Sequence, residues 1–243
     1  MKKLFASFGW ILLLLPFLSF AGTKAILGSG TYNSRPSEER TVSGFNAISS
    51  GGAFDVHVTL GNKESLRIEG DEDQLSKIET KVENGTLKIR YKVKSFFNTG
   101  WKNKVTVFVT AKSLKSLSIS GSGNMDVSGM IKGESLDTRV SGSGSISFSA
   151  TVNTLNAIVS GSGELKTSGS ARTASISVSG SGDFEGKDFK TTDSNIKVSG
   201  SGNVTIYADK NINAKISGSG NVRYAGNPTV NISKSGSGDV SKL

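Results

Sequence analysis

The tetrapeptide Ser-Gly-Ser-Gly occurs seven times between Ser120 and Gly238 of this 243-residue chain. Its copies begin at Ser120, Ser141, Ser160, Ser179, Ser199, Ser217 and Ser235, so the steps between them are 21, 19, 19, 20, 18 and 18 residues. A flexible Gly/Ser linker has no reason to stay in phase with its flanking sequence. A step of about 19 residues instead predicts a chain built from equivalent structural units.

The residues on either side of each tetrapeptide alternate between apolar and polar. Around the third copy, Leu155, Ala157 and Val159 precede the two glycines, and Leu165 follows them in the same phase. Period two over this length indicates β-strand with one buried face. We therefore expect both glycines of each pair to face inward and the serines to face solvent. We also expect the chain to bend at the glycines, because glycine tolerates strained dihedrals.

Units of about 19 residues that bury one face by stacking on their neighbours form a solenoid. We predict an all-β fold, a parallel β-helix-like solenoid with irregular N-terminal coils, in which successive coils pair in parallel. A propeller or a sandwich of hairpins is the alternative, but no Asn-Gly hairpin signal separates the repeated runs. Lys234 takes an inward position in the last repeat. A charge there discourages edge pairing, and the alternative is that a second subunit of a homo-oligomer covers this end.

The first residues have the pattern of a secretory signal peptide. Lys2 and Lys3 precede an apolar stretch from Leu4 to Phe20, and Ala21 ends a small-residue cleavage site. We predict a signal peptide at 1–21, an extended N-terminal segment at 22–41 and a single solenoid domain at 42–243. Within that domain, residues 42–116 form irregular coils and a cap, and 117–243 carry the seven repeats.

The predicted location follows from the same pattern and from the absence of cysteine. Without a cysteine after the cleavage site, the chain is not expected to be a lipoprotein. No later apolar run is long enough to span a bilayer, so no transmembrane anchor is expected after cleavage. We predict a periplasmic, outer-surface or secreted protein.

Between residues 42 and 116 the strand pattern continues without the tetrapeptide. Phe54, Val56 and Val58 alternate with polar residues, which places His57, the only histidine, on the outer face. The pair Asn84-Gly85 predicts a hairpin turn between two strands. Within GDEDQLSKI, Asp71 or Asp73 is positioned to begin a short helix.

The segment KSFFNTGWKNK, residues 94–104, combines aromatic and basic side chains. The candidate contact residues are Phe96, Phe97, Trp101, Lys102 and Lys104. Exposed aromatic rings can stack on sugars or anchor a partner, and the alternative is that these rings fold back to plug the end of the core. The net charge of +9 favours an anionic glycan or an envelope surface as partner, with a merely solvated basic face as the alternative. We expect no specific nucleic-acid binding.

Several stretches resemble a known family of secreted bacterial proteins. The stretches are VSGFNAI, GAFDVHVTLG, LRIEGDEDQLSKIETKVENGTLKIRY, SISGSGNMDV and KISGSGNVRY. Together they are similar to the family named putative auto-transporter adhesin, head GIN domain, from about Val42 to the end of the chain. The resemblance implies a right-handed β-helix-like fold in the cell envelope, and it brings no catalytic residues to carry over.

The residue after each tetrapeptide forms an outward column in the predicted solenoid. Its members are Asn124, Ser145, Glu164, Asp183, Asn203, Asn221 and Asp239. Stacked coils would place Glu164 and Asp183 about 5 Å apart, a spacing found in retaining glycosidases, and oxygen ligands for calcium are present. The column nevertheless resembles a polar ladder more than a cleft. We therefore predict no catalytic residue, metal or cofactor.

The predicted function is a non-enzymatic, secreted or cell-envelope β-solenoid with a structural or adhesin-like surface-interaction role. The alternative is a polysaccharide-binding or polysaccharide-active β-helix protein that uses the basic aromatic segment, residues 94–104.

Overall fold

The computed structural model describes residues 35–92 and 104–243. Within these residues the chain forms sixteen strands and one short helix. The strands are β1 (Ser37–Arg40), β2 (Ala47–Gly51), β3 (Phe54–Leu60), β4 (Ser65–Glu69), β5 (Ile78–Glu83), β6 (Thr86–Tyr91), β7 (Val105–Ala111), β8 (Ser116–Gly121), β9 (Asn124–Gly142), β10 (Ser145–Gly161), β11 (Glu164–Gly180), β12 (Asp183–Gly200), β13 (Asn203–Gly218), β14 (Val222–Ala225), β15 (Thr229–Ser235) and β16 (Val240–Lys242). The helix α1 spans Glu72–Leu75.

The repeats stack in parallel and in register, as predicted. Strand β10 pairs with β11 from Ser145 opposite Glu164 to Gly161 opposite Gly180. The same parallel pairing joins β9 to β10, β11 to β12 and β12 to β13. The fold is therefore a β-solenoid of about 7 turns with a spacing of about 19 residues. The alternatives built from antiparallel hairpins are wrong for the repeats, because each run pairs with the equivalent run of the next coil.

Each coil contributes to two rows of paired strands, which we call row A and row B. Row A has the order β1-β4-β7-β3, followed by the first parts of β9 to β13, then β14 and β16. Row B has the order β5-β6-β2-β8, followed by the second parts of β9 to β13, then β15. The tetrapeptides lie where the chain passes from row B to row A.

Alternate side chains of both rows fill one continuous core. In β11 and β12, Ile176, Val178, Phe184 and Ile196 are all at most 3% exposed, whereas their neighbours in sequence are more exposed. Because equivalent positions of successive coils lie side by side, each apolar side chain packs on its counterparts above and below. This stacking is what buries enough apolar surface to hold the coils together.

The prediction that both glycines of each tetrapeptide face inward is right for the second glycine and wrong for the first. Gly163 is buried, but Gly161 is exposed and has a φ of +104°. A side chain on Gly161 would have its Cβ 2.5 Å from the carbonyl oxygen of Gly142 in the preceding coil. The first glycine therefore makes the bend and lies directly against the backbone of its neighbour, which only glycine permits.

The N-terminal coils are irregular, as predicted, and contain antiparallel pairings. Asn84 and Gly85 have φ values of +51° and +73° and join β5 to β6 in an antiparallel hairpin. This confirms the predicted hairpin turn. Helix α1 begins after Asp71, which confirms the predicted short helix. Strand β4 runs antiparallel to β7, and β1 runs antiparallel to β4, so both extend row A.

Arg40 fastens the outermost strand of row A to the rest of this end. Its Nη1 donates to the carbonyl oxygen of Ile78 at 2.8 Å, and its Nη2 donates to the carbonyl oxygen of Leu75 at 2.9 Å. The same guanidinium pairs with Glu38 at 2.9 Å. One side chain thus links β1, the end of α1 and the start of β5.

Within residues 35–92 and 104–243, no helix has the length and apolar character needed to cross a membrane.

Candidate functional site

One line of outward side chains crosses every strand of row A, and we call it the central line. Its members, from the N-terminal end, are Glu39, Arg67, Phe108, His57, Asp126, Ser147, Lys166, Glu185, Thr205, Arg223 and Ser241. Register partners on neighbouring strands point to the same face of a sheet. The central line is therefore a continuous surface along the solenoid.

Near the N-terminal end, the central line carries a stack of three planar side chains. The Phe108 ring lies between the other two: the His57 ring is 5.5 Å away between centroids, and the Arg67 guanidinium carbon is 4.3 Å from the Phe108 centroid. Arg67 also forms an ion pair with Glu69. The phenyl ring thus holds the guanidinium in place, and a cation over an aromatic ring is itself favourable.

This stack is the floor of a groove of about 1110 Å³, which we call the Phe108 groove. Its lining combines the stacked His57, Arg67 and Phe108 with the polar side chains of Thr59, Lys63 and Thr110. The groove forms because β4 adds to the outer edge of β7, and the loop before β4 rises beside the outward face. Arg40, Glu39 and Glu64 also line it, so hydroxyl groups, three basic and two acidic residues and an aromatic ring surround one concave surface.

Glu64 fixes one wall of the groove. Its side chain is only 10% exposed, and its carboxylate accepts hydrogen bonds from the backbone N–H groups of Gly44 at 3.0 Å and Phe45 at 3.3 Å. Lys112 lies 3.9 Å from the same carboxylate. The negative charge of Glu64 is thus engaged within the wall, whereas the Lys63 side chain remains exposed at the rim.

The column of residues that follow the tetrapeptides stacks in register as predicted, beside the central line. Asn124 donates to Asp55 at 2.9 Å, and Ser145 donates to Asn124 at 2.9 Å. Farther along, both the backbone N–H and the Nδ2 of Asn203 donate to Asp183 at 2.9 Å. We call this column the polar ladder, and side-chain hydrogen bonds join its neighbouring members from Asn124 to Ser145 and from Asp183 to Asp239.

One carboxylate of the pair whose predicted spacing resembles a glycosidase site is already engaged in this ladder. Glu164 and Asp183 are register partners on neighbouring coils, but Asp183 already accepts two hydrogen bonds from Asn203 through one oxygen. Within the described residues, no three His, Asp or Glu side chains are grouped so that they could hold a metal ion. The pair lies on an outward sheet surface, away from the Phe108 groove.

Glu185, on the central line beside this pair, makes the free energy of unfolding depend on pH. Burial, together with the nearby carboxylates of Asp183 and Glu164, raises the pKa of Glu185 above its ordinary value. The folded state therefore binds this proton more tightly than the unfolded state does. The resulting stabilisation is fully present below the unfolded-state pKa and is lost as the pH rises through the higher, folded-state pKa.

We expect Glu185→Gln to raise the free energy of unfolding at pH 7. The substitution should also flatten the pH dependence of this free energy between the unfolded-state and folded-state pKa values of Glu185, as measured by urea denaturation at several pH values.

Glu83 provides a control in which stability changes with pH in the opposite direction. Hydrogen bonds from Lys88 and Lys81 lower the pKa of Glu83 to about 2, so its stabilising contribution is present above the ordinary pKa and is lost as the pH falls toward 2. Glu83→Gln should therefore lower stability at pH 7, with the difference from wild type vanishing at acid pH. Parallel pH profiles for Glu185→Gln and wild type would contradict the assignment.

Most of the site residues predicted from sequence lie outside the described residues. These are Phe96, Phe97, Trp101 and Lys102. Lys104 is described: its side chain is 63% exposed, and its Nζ lies 3.3 Å from the Asp55 carboxylate. It therefore sits at the end of the polar ladder rather than in the Phe108 groove.

The polar phase of β7 carries a sequence signal for the groove. In β7, VTVFVTA, the outward positions are Thr106, Phe108 and Thr110, so the phenylalanine is an apolar residue on the polar phase. Such a residue is a candidate for a binding surface. Its partners His57 and Arg67 come from two other strands, and sequence spacing does not show that β4 and β3 flank β7.

Comparison with known proteins agrees with this architecture. A family described as "Putative auto-transporter adhesin, head GIN domain" matches residues 44–228. No curated protein sequence matches the chain.

Three solved structures share the fold over nearly their whole length. A "putative adhesin" from Bacteroides fragilis has a TM-score of 0.79 and 24% identity, with 87% of this chain and 98% of that chain covered. A "putative lipid binding protein" from Parabacteroides distasonis has a TM-score of 0.69 and 26% identity, with 87% and 98% covered. A "putative adhesin" from Parabacteroides merdae has a TM-score of 0.66 and 23% identity, with 87% and 97% covered. Since the family match spans most of the chain and includes all but the last tetrapeptide, the protein belongs to the family described as "Putative auto-transporter adhesin, head GIN domain".

Proposed function

We propose that this protein is a non-enzymatic, adhesin-like surface protein that binds anionic glycans in the Phe108 groove. The family description supports an adhesin-like role. The observation that carries the ligand class is the Arg67 guanidinium held 4.3 Å from the Phe108 ring centroid in a concave, hydroxyl-lined surface. As part of the proposal, residues 1–21 direct the chain out of the cytoplasm as a cleaved signal peptide.

The chemistry of the groove suits an acidic sugar. Arginine presents a planar fork of donors that matches a carboxylate. Glu69 already accepts from Nη1 of Arg67, so a ligand carboxylate would bind through the other N–H groups of this guanidinium. Lys63 adds a further cation at the rim. Thr59 and Thr110 offer hydroxyls that can donate to or accept from sugar hydroxyls. The full chain has a net charge of +9, and cleavage after residue 21 removes Lys2 and Lys3 and leaves +7. This surplus of basic residues draws polyanions toward the surface.

A lipid with an anionic headgroup shares part of this chemistry, and a relative with 26% identity is described as lipid binding. The lining of the groove favours the glycan. An acyl chain needs a continuous apolar channel, whereas the apolar lining residues Val42, Leu66, Phe108 and Val109 are interspersed with threonine, lysine, arginine and glutamate residues. Membrane binding is therefore an outcome of the test and not the proposal.

The test measures binding of the full mature chain to polygalacturonate, with neutral dextran and phosphatidylglycerol vesicles as competing probes. We expect binding to polygalacturonate alone. Arg67→Gln and Phe108→Ala should each weaken it at least tenfold, because one removes the cationic fork and the other removes the ring that holds it. Isothermal titration calorimetry gives the dissociation constants, and circular dichroism checks that each variant is folded.

Arg223→Gln is the matched control. Arg223 lies on the same central line at the other end of row A, is exposed, and leaves the groove intact. It should change binding less than twofold if the groove is the site. Equal losses for Arg223→Gln and Arg67→Gln would show a nonspecific charge effect and overturn the proposal.

A further double variant tests the alternative site in the basic aromatic segment. Phe97→Ala/Trp101→Ala should leave polygalacturonate binding within twofold of wild type. Loss of binding in this variant, with Arg67→Gln unaffected, would assign recognition to residues 94–104. Binding to the vesicles but to neither polysaccharide would assign lipid recognition, and no binding to any probe would remove the anionic ligand class altogether.

A further inference from the structure

The two ends of the solenoid present different edges. At the N-terminal end, the outermost strands are β1, with sequence SEER, and β5, with sequence IETKVE. Charged residues on edge strands oppose pairing with other chains. At the other end, β15 has the sequence TVNISKS, with Lys234 as its single charged residue, and pairs only with β13 among the described strands. Its outer edge therefore carries a row of unpaired backbone N–H and C=O groups.

At two positions of β15, the side chains are more exposed than their register partners in the preceding coil. Ile232 is the register partner of Ala214, which is 3% exposed, yet Ile232 itself is 51% exposed. Val230 is the partner of the fully buried Ile212 and is only partly buried. A concavity of about 240 Å³ adjoins Ile232 at this edge. The core stacks of row B thus continue to the edge and end there uncovered.

The polar ladders of row B also run up to this edge. Asn213 donates to Asn195 at 3.1 Å, and Asn231 donates to Asn213 at 3.1 Å. Each amide in this ladder donates toward the N-terminal end and accepts from the coil on its other side. The Oδ1 of Asn231, on the last coil, therefore points toward the position of a further strand. The backbone groups of β15, the apolar stack that ends at Ile232 and the ladder that ends at Asn231 could therefore all continue into a further strand.

We propose that two copies of this chain pair tail to tail through β15, as antiparallel edge strands related by a two-fold axis. Closed two-fold dimers are the commonest homo-oligomers, and they require one self-complementary surface. The β15 edge meets that requirement about Ile232, the central residue of the strand. A head-to-tail arrangement would instead place β15 against the charged edge of β5, at the opposite end of row B.

The antiparallel register about Ile232 is the one that this sequence favours. It places Ile232 opposite Ile232 of the second copy and joins two exposed apolar side chains across the axis. It also places Lys234 opposite Val230, whereas an axis at Lys234 would bring two lysines together. Lys234 already donates to the carbonyl oxygen of Gly238 at 3.3 Å, so its charge is drawn toward the adjacent bend. Asn231 then faces Ser233, which pairs an amide with a hydroxyl.

The chain contains no cysteine, so a single introduced thiol reports the register. Directly opposite side chains in an antiparallel pair have their Cβ atoms about 4.5–5.5 Å apart. Ile232→Cys should therefore form a disulfide-linked dimer rapidly on mild oxidation at micromolar concentration. Ser235 is three residues from the axis, which separates the two copies of this position by roughly 20 Å. Ser235→Cys should cross-link at least tenfold more slowly.

Light scattering and sedimentation give the independent measurement. We expect the wild-type mature chain to be a dimer. Ile232→Lys should raise the dissociation constant of this dimer at least a hundredfold. Met130→Lys is the control, because Met130 is also an exposed apolar residue, at 41%, but lies on the side of a coil. It should leave the dimer unchanged. A monomeric wild-type chain at high concentration, or equal cross-linking of Ile232→Cys and Ser235→Cys, would overturn the tail-to-tail pairing.

Discussion

Replacing Gly161 by valine is expected to destabilise the solenoid by about 4 kcal/mol or more. Two effects add. The φ of +104° is one that a β-branched residue rarely adopts, and the new Cβ would lie 2.5 Å from the Gly142 carbonyl oxygen and 3.2 Å from its nitrogen. Both are backbone atoms held by the neighbouring coil, so the clash has no side chain that can rotate away. For a domain of this size the loss corresponds to a fall of roughly 8–16 °C in Tm, measurable by differential scanning calorimetry.

Ser162→Val is the matched control. Ser162 is exposed, and it contributes its backbone N–H, which donates to Gly142 at 2.9 Å. Valine retains that donor, so the Tm should change by no more than about 2 °C, in line with ordinary surface substitutions. Gly163→Val should be as damaging as Gly161→Val for a different reason, since its Cβ would lie 2.4 Å from both the Gly144 oxygen and a methyl group of Val140. A Tm for Ser162→Val as low as that of Gly161→Val would refute this account of the bend.

Phe184→Ala is expected to cost about 3–5 kcal/mol, because Phe184 is fully buried and among the largest side chains of the core. Its ring also occupies the space above Gly186. A Cβ on Gly186 would lie 2.5 Å from the Phe184 ring and 3.1 Å from Ile206. Gly186→Ala alone should therefore cost about 1–3 kcal/mol through overpacking. In the double variant the alanine methyl enters the vacated space, so the combined loss should be smaller than the sum by about 1–2 kcal/mol.

Urea denaturation of the four proteins of this double-mutant cycle gives the coupling energy. Phe54→Ala combined with Gly186→Ala is the control, because Phe54 is equally buried but lies in the first coils. Those two changes should add to within about 0.5 kcal/mol. If Phe184→Ala and Gly186→Ala prove equally additive, Phe184 does not restrict the space at Gly186.

The regular part of the fold could be predicted because one periodicity repeats. Val159 and Leu165 keep the same phase across a tetrapeptide, and the structure places both in the core. The exact role of Gly161 could not be predicted, because alternation assigns a residue to a face but does not report a positive φ. The bend depends on contact with Gly142 of the preceding coil, which is a property of stacking and not of the local sequence.

The candidate site was harder to predict for a topological reason. Phe108, His57 and Arg67 come from three strands, and their contact depends on β4 joining the outer edge of β7 in the antiparallel direction. Turn signals and alternation show where β4 lies in the sequence, but not which edge it pairs with. By contrast, Asn124 and Ser145 follow equivalent tetrapeptides, so their neighbourhood follows directly from the repeat.

The parallel register of the coils has a mechanical consequence. Strand β11 pairs only with β10 and β12, and each strand from β9 to β13 likewise pairs with its immediate neighbours. A pull on the carboxyl-terminal end would therefore detach one coil at a time, and the force would act on a few hydrogen bonds in succession. Unfolding would then remain confined to the detached coils, and the coils still attached would keep their own bends, core and outer surface.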